Sequence, residues 1–562
     1  MIMKINKNVT GTLKAIMIAA CGTIMTTSCQ DKLSTPNSQL MTQGNPYLPL
    51  WEHIPDGEPY VFEDPDQPGK YRVYVYGSHD DLITEYCGRN QVVWSASVDS
   101  LNNWRYDGVI LVVDKNGKGE KFDEAGTADV LYAPDVTLVT DADGKKTYYL
   151  FPNDQTGYRN GLIAKSDRPD GPFEVCNWNA ENPNQVDGIY GFDPAVFVDD
   201  DGRVYGYWGF KHSYAAEIDP TTMCTVKPGT EIVDGMISGY EEPGVFRFFE
   251  ASSIRKIKDK YVFIYSRWTE NGEFGLPDTN YTLAYAYSDN PLGPWTYGGT
   301  IIDARGREIN EQGDTIASGV VSGNTHGSIC EINGQWYVFY HRQTGTNEYA
   351  RQAMVAPIDV KIEEGAGGKV EISEGEYNSE GFALNGLDPF ERHSAGIACW
   401  LTGPKVAEHE WPNNIFYGSY VEASYGTETN FDEPYALQNN TNRVVNNTDG
   451  SIVGFKYFNF DAKCLDNPNN LMLVLRLIPE GIDGTIDIMM DRPWTSQGGK
   501  KIGQIELKAD MSKTVMDVAA GIHNEAKEQY LAGKHAIFFV FKSDTKEKSL
   551  CTLEDFVFTF DE

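Results

Sequence analysis

Five times along this 562-residue chain one phrase returns: a short strand that opens on an acid or a histidine, a turn, then an aromatic-rich strand. The aromatic strands read GKYRVYVYGS from Gly69, KKTYYLFPND from Lys145, GRVYGYWG from Gly202, DKYVFIYS from Asp259 and GQWYVFYHR from Gly334. Their first aromatic residues, Tyr71, Tyr148, Tyr205, Tyr261 and Trp336, are spaced by 77, 57, 56 and 75 residues, long enough for four strands and their loops. The repeat predicts a five-bladed β-propeller.

About a dozen residues before the aromatic strands stand Asp56 (IPDGEPYVF), Asp135 (APDVTLV), Asp193 (FDPAVFV), Glu250 (FEASSIRKI) and His326 (THGSICEI), each opening a short strand. A lone Asp before a strand reads as a turn or cap residue. Recurrence in register changes the reading, because the first strand of each propeller blade runs beside the axis and equivalent positions converge on one funnel. Four carboxylates and one imidazole are expected to share a pocket.

Composition agrees with an all-β chain: Gly 55, Pro 27 and 12% aromatic residues suit a turn-rich protein, and long amphipathic helical patterns are nearly absent. The clearest helix candidate runs from Met516 to Ala532 and is interrupted by Gly521. A formal net charge of -34 repels phosphates and disfavours nucleic acid, leaving neutral ligands. Tyr 32 and Trp 11 supply flat apolar faces with polar tips, which suit sugar rings as well as packing.

The first 29 residues read as a targeting segment. Lys4, Lys7 and Lys14 precede an apolar run from Ala15 to Met25, then small residues and Cys29, which resembles a bacterial lipoprotein leader with Cys21 as the rival anchor. An exported, periplasmic or cell-surface body tethered only by lipid is expected, with no spanning helix elsewhere. Seven cysteines beyond Cys29 (Cys87, Cys176, Cys224, Cys330, Cys399, Cys464, Cys551) are scattered singly, which speaks against a thiolate metal site and leaves room for a disulfide or two.

A linker over 30–44 leads to the propeller, 45–375, which ends near the Gly/Glu-rich IEEGAGGKVEISEGEYNSEG. A connecting segment, 376–410, precedes a second domain, 411–562, whose strands include IVGFKYFNF, LMLVLRLIP, TIDIMMD, KIGQIELK, HAIFFVFK and LEDFVFTF. Their number and length suit a jelly-roll β-sandwich. The insertion DARGREINEQGDTIASG from Asp303 suggests added walls on the funnel.

Carboxylates sharing a pocket with aromatics suggest glycoside hydrolysis: one carboxylic acid protonates the departing oxygen and another carboxylate activates water. A third nearby carboxylate raises the pKa of the acid by like-charge repulsion. Calcium binding is the alternative use of clustered oxygens.

These residues resemble glycoside hydrolase family 43 from about Asn45 to 375, through IPDGEPYVFEDP, GFDPAVFVDDDGRVYGYWG and FFEASSIRKIKDKYVFIYS, with YAPDV and GNTHGSICEINGQWYVFYHR in further agreement. The resemblance implies Asp56 as general base, Asp193 as pKa modulator and Glu250 as general acid, acting by single displacement with inversion. Glu58 is the rival for the base. It also implies substrate-binding roles for Asp135 and His326, with His326 the candidate metal residue beside a calcium ion that is allowed and not required. Arg267 and Arg351 are candidates for contacting sugar hydroxyls or pinning the acids, with surface or blade-packing roles as the alternative, and Trp208 is a further candidate sugar contact. The second domain resembles carbohydrate-binding module family 6, with Tyr457, Phe458 and Trp494 as sugar-stacking or core residues, Trp494 the more exposed, and Glu422 as a weak calcium candidate.

The expected function is an exported hydrolase that removes arabinofuranosyl or xylosyl units from plant polysaccharide or oligosaccharides, with no cofactor required for the chemistry. The alternative is a non-catalytic glycan-binding lipoprotein on the same scaffold. A retaining fructosidase is disfavoured, since its NDPNG, RDP and EC signatures are missing.

Overall fold

A computed structural model of the chain describes residues 44–80, 86–112, 130–154, 160–182, 185–320, 323–405, 408–410, 413–415, 418–423, 442–460, 470–522 and 531–560. The leader with Cys29 and Cys21 lies outside the described residues, as does Cys464. All six described cysteines are free thiols.

Four antiparallel sheets of four strands follow one another. They are β1 to β4 (Glu58–Glu63, Tyr71–Tyr76, Asn90–Ser97, Trp104–Val112) and β5 to β8 (Asp135–Thr140, Lys146–Phe151, Ala164–Ser166, Glu174–Val175). Then come β9 to β12 (Ala195–Val198, Val204–Trp208, Tyr214–Ile218, Val233–Asp234) and β13 to β16 (Phe248–Ile257, Lys260–Arg267, Thr282–Ser288, Thr296–Asp303). A hairpin, β17 and β18 (Arg307–Ile309, Thr315–Ala317), precedes the fifth sheet, β19 to β21 (Ser328–Ile332, Gln335–Thr344, Ala350–Ile358).

The aromatic second strands explain why these sheets close in a circle. Successive side chains point to opposite faces of a strand, so each blade offers apolar groups to both neighbours. Tyr74 and Tyr76 of β2 pack with Tyr148 and Leu150 of β6, and Phe151 packs with Val204 and Trp208 of β10. Tyr205 and Tyr207 meet Phe263 and Tyr265 of β14; Val262 and Ile264 meet Val338 and Tyr340 of β20. Tyr337 and Phe339 then meet Val73 and Val75 of β2, which returns the ring to its first blade. The fold is a five-bladed β-propeller.

The first strand of each blade starts at the end where the second strand finishes. Glu58 lies opposite Tyr76, Asp135 opposite Phe151, Ala195 opposite Tyr207, Glu250 opposite Ser266 and Ser328 opposite Phe339. The mouth is therefore lined by the heads of the inner strands and the tails of the aromatic ones. On the outer edge of the fifth blade the segment around Asn45 and Tyr47 takes the place of a fourth strand. Asn45 Nδ2 donates to Val355 O at 2.6 Å, Asn45 Oδ1 accepts from Val355 N at 2.9 Å, and Tyr47 N donates to Ala353 O at 3.3 Å.

The second domain is a two-sheet sandwich. One sheet runs Tyr420–Val421, Val444–Val445, Cys551–Phe560, Leu471–Pro479 and Met516–Gly521, with His393–Ser394 added to Cys551–Phe560. The other runs Trp400–Thr402, Ile452–Phe460, Gly533–Lys542, Gly484–Met490 and Lys500–Leu507. Leu471, Leu473, Leu475 and Leu477 alternate into the core with Phe455, Phe539 and Phe556. The sandwich thus draws two strands, His393–Ser394 and Trp400–Thr402, from the segment expected to be a mere connection.

Two sequence expectations are corrected. Met516–Gly521 is a strand paired with Leu471–Pro479, not the start of a helix; an open sheet edge offers backbone partners that outweigh local preference. The insertion after Asp303, expected to wall the funnel, forms the β17–β18 hairpin and docks on the sandwich. Ile316 packs in a cluster with Trp400, Met489, Phe538 and Trp494, Leu401 N donates to Ser318 O at 2.5 Å, and Ser496 Oγ donates to Glu311 Oε1 at 2.8 Å.

Asn45 is fully buried, and truncating it strands both polar groups of Val355. We expect Asn45→Ala to cost about 1–3 kcal/mol in urea unfolding. A change under about 0.5 kcal/mol would mean water replaces the amide and this edge does not depend on it.

Candidate active site

Asp56 lies in the turn before β1, Asp193 in the turn before β9, and Glu250 within β13 where the pairing with β14 slips. At each of the three the backbone enters the left-handed region at a residue other than glycine: φ is 60° at Asp56, 47° at Asp193 and 68° at Ala251 after Glu250. Such conformations cost of order 1–3 kcal/mol each and persist only where the surroundings impose them.

The surroundings of Asp56 are cationic. Its Oδ1 is 3.2 Å from Arg351 Nη1, and its Oδ2 accepts a 2.5 Å bond from Ser78 Oγ. The backbone N–H of Asp56 donates to His341 Nδ1 at 3.3 Å, so that ring is the neutral tautomer carrying its proton on Nε2, beside Asn324 O at 2.8 Å. Burial pushes the Asp56 carboxyl up, but the charge of Arg351, aided by His326 and the bond from Ser78, outweighs it and holds the group below the usual carboxylate range. Arg351 is itself anchored from behind: Asp80 Oδ2 receives its Nε at 2.9 Å and Asp80 Oδ1 its Nη2 at 2.8 Å. Asp80 is raised to about 6 by burial.

Asp193 is held by Asn153 Nδ2 at 2.8 Å, by Ala251 N at 3.1 Å and by His326 Nδ1 at 3.4 Å. Burial raises its pKa in spite of His326. Glu250 has a weaker set of partners, chiefly Asn280 Nδ2 at 3.4 Å. Burial, then the charges of Asp193 and Asp56, push Glu250 up to about 8 against the pull of His326 and Arg351. Burial would lower His326, but its bond to Asp193 and the charges of Asp193, Asp56 and Glu58 carry it up to about 9. The structure thus brings Asp56, Asp193, Glu250, His326 and Arg351 into one electrostatic cluster.

Glu58 and Asp135 belong to an adjoining layer. Glu58 Oε2 pairs with Arg255 Nη2 at 2.7 Å, and the Arg255 guanidinium lies 4.5 Å from the Tyr60 ring centroid. Asp135 Oδ1 accepts from Tyr60 Oη at 2.6 Å and from Val136 N at 2.8 Å, while Oδ2 accepts from Val196 N at 2.6 Å. Both Asp135 oxygens serve neighbouring blades, and burial with the Glu58 charge raises its pKa to about 7.

Other candidates take other partners. Arg267 is bound to Glu273 at 2.9 Å and to Val245 O at 3.0 Å, pinning the loops around blade four. Trp208 is buried, edge-on to Tyr190 and stacked on Tyr214. In the sandwich, Phe458 is core, Trp494 packs against Trp400 in the seam instead of standing free, and Tyr457 Oη donates to Glu376 Oε1 at 2.8 Å. Glu422 is engaged by Arg443 at 2.8 Å.

Residues missed in the sequence share one origin. Ser78 and Asp80 follow β2, Asn153 follows β6, and His341 lies in the last part of β20: all sit at the tails of aromatic strands, which the antiparallel pairing returns to the mouth. The signal was the polar residue after each aromatic run, as in YGSHD and LFPND.

The proton affinity of Glu250 has a stability consequence. With an ordinary value of 4.5 and a folded value of about 8, it keeps its proton in the fold over a range where the unfolded chain has lost it. Stability therefore falls as pH rises from about 4.5 to about 8. Glu250→Gln removes this penalty: its thermal midpoint should match the parent near pH 4 and exceed it by several degrees at pH 8. Equal midpoints at both pH values would show that Glu250 ionises in the fold as freely as in water.

The sequence profile of Glycosyl hydrolases family 43 matches residues 64–364, a span holding Asp193, Glu250, His326 and Arg351, with Asp56 just upstream. A xylosidase/arabinosidase of Thermoclostridium stercorarium is 31% identical over 538 residues, covering 90% of this chain and 98% of the relative. An arabinoxylan arabinofuranohydrolase of Paenibacillus polymyxa is 25% identical over 88% of this chain and 73% of its own length. A beta-xylosidase of Xylanibacter ruminicola is 32% identical over 52% of this chain and 91% of its own. The chain belongs to glycosyl hydrolases family 43 and is a glycoside hydrolase.

Proposed function

We propose that this hydrolase removes arabinofuranosyl or xylosyl units from xylan- or arabinan-type plant polysaccharide or its oligosaccharides, with inversion at the anomeric carbon. The observation that carries the reading is the opposed proton affinity of two carboxyls in one cluster: Asp56 held ionised by Arg351 and Glu250 held protonated by burial beside Asp193. The names of the relatives, a xylosidase/arabinosidase among them, support the sugar class.

In this reading Glu250 donates its proton to the glycosidic oxygen as the bond to the anomeric carbon breaks. Asp56 takes a proton from the water that attacks that carbon from the opposite face. Asp193 keeps Glu250 protonated by its charge and, through Asn153 and His326, holds its own place. Arg351 fixes Asp56, and Glu58, engaged by Arg255, is not the base. Calcium, which the resemblance allows, would be held at His326 only with the ring neutral, when Nε2, buried with no partner among the described residues, has a lone pair to offer. Those residues gather no group of three ligating side chains, so water would complete its shell, and the ion would supply fixed positive charge near Asp193. A lipid-tethered location outside the cytoplasm is proposed on the leader alone.

On nitrophenyl arabinofuranoside and xyloside, kcat/KM should fall on the alkaline side near pH 8, where Glu250 loses its proton, and stay level into the acid range until Asp56 is protonated. On xylo- and arabino-oligosaccharides, whose sugar leaving group needs a proton, Glu250→Gln should lose roughly 10²–10⁴-fold. Unchanged cleavage of every substrate by that variant would remove Glu250 as the acid, and an anomer of retained configuration in NMR of the first product would remove inversion.

A further inference from the structure

One side of the mouth carries a continuous aromatic wall that the chemistry above does not use. Phe192 directly precedes Asp193, and Phe249 directly precedes Glu250. Ring to ring, Tyr132 meets Phe192 at 6.3 Å, Phe192 meets Phe210 at 4.9 Å, Phe210 meets Phe249 at 5.1 Å and Phe249 meets Trp268 at 4.9 Å. Tyr240 bridges Phe249 at 5.5 Å and Trp268 at 5.2 Å. The six rings come from the segments around blades two, three and four, on the side of Asp193 and Glu250. Asp56 lies across the cluster among Ser78, His341 and Arg351.

The wall is not a closed piece of core. Phe210 is 45% exposed, and Tyr132, Phe192, Tyr240 and Trp268 are all partly exposed. An open aromatic strip of this kind marks a binding surface. Lys211 braces it from an unfavourable backbone: its φ is 62°, its N–H donates to Phe249 O, and its Nζ lies 5.2 Å from the Phe210 centroid, 5.6 Å from Tyr240 and 6.0 Å from Phe249. A lysine held in the left-handed region over three rings fixes their spacing by cation–π attraction.

We propose that this wall receives the leaving-group chain of the substrate, a run of uncharged pyranose rings such as a β-1,4-linked xylose backbone, and that Phe210 is a specificity-determining contact for it. The inference rests on the polysaccharide reading above. In a single displacement the leaving oxygen departs towards the acid and water comes from the base, so the remainder of the polymer must extend on the Glu250 side. The rings begin at the residue beside Glu250 and run outward, and their flat apolar faces match the C–H faces of pyranose rings. The sugar that is removed lies between Asp56 and Glu250 and does not need Phe210.

The test separates the wall from the reaction. In the Glu250→Gln background, calorimetry with xylohexaose should show binding that Phe210→Ala weakens about tenfold, with Phe210→Leu, which keeps bulk but not the flat ring, close to Phe210→Ala. In the active enzyme, Phe210→Ala should lower kcat/KM on arabinoxylan oligosaccharides by a similar factor and leave nitrophenyl glycosides within about twofold. Equal losses on both substrates would assign the wall to the removed sugar and overturn the proposal, as would xylohexaose binding indifferent to Phe210 or absent. Should no nitrophenyl arabinofuranoside or xyloside be cleaved while xylohexaose binding still depends on Phe210, the sugar assignment fails and the wall stands.

Discussion

The architecture hangs on a buried carboxylate at the head of an inner strand that accepts a backbone N–H from the next blade. Asp135 does this for Val196, and Asp193 for Ala251. Propeller blades meet face to face, so side-chain packing carries most of the ring, and these bonds join backbone contacts such as Phe173 N to Ile110 O at 2.8 Å and the Gly57–Gly327 bridge in crossing from blade to blade. The device is used twice and diverges through the second oxygen. In Asp135 it is occupied by Tyr60 and Val136 N, which leaves the residue structural, whereas in Asp193 it meets Asn153 beside the mouth.

Burying so many carboxylates in one place sets the chemistry. Two guanidinium groups divide the work: Arg255 ties Glu58 to Ile329 O and lies under the Tyr60 ring, and Arg351 bridges Asp56 and Asp80. Because Arg351 touches Asp56 and not Glu250, the same burial that both acids suffer is overcome in one and only partly offset in the other. The opposed proton affinities follow from where one cation is placed, and the strained backbone at all three acids accompanies that arrangement.

The sandwich is joined to the propeller by more than a tether. Buried Lys456 pairs with Glu308 of the hairpin and with Glu376, Arg342 of β20 donates to Ala398 O at 2.6 Å, and Gly345 N donates to Val421 O at 2.7 Å. The aromatic groups that looked suited to sugar, Trp494 and Tyr457, are engaged in this seam. The hairpin also abuts the loop after β14, where Gly275 approaches Thr315 and Arg307 lies 4.0 Å from the Phe274 centroid. That loop leads to Asn280, the partner of Glu250.

From its residues alone the chain determined the number of blades, the aromatic second strands and the acids at the heads of the inner strands, because these follow from local alternation and a repeat that recurs in register. The sandwich was legible for the same reason, in strands such as LMLVLRLIP. Only the tertiary structure decided that Asp135 is structural while Asp193 faces the cluster, that Arg351 and not Arg267 reaches the acids, and that the insertion after Asp303 serves the seam. It also turned Met516–Gly521 into a strand. Each of these depends on what stands opposite a residue across a blade or a domain boundary, and the partner's position is fixed by packing at long sequence separation, which no local pattern encodes.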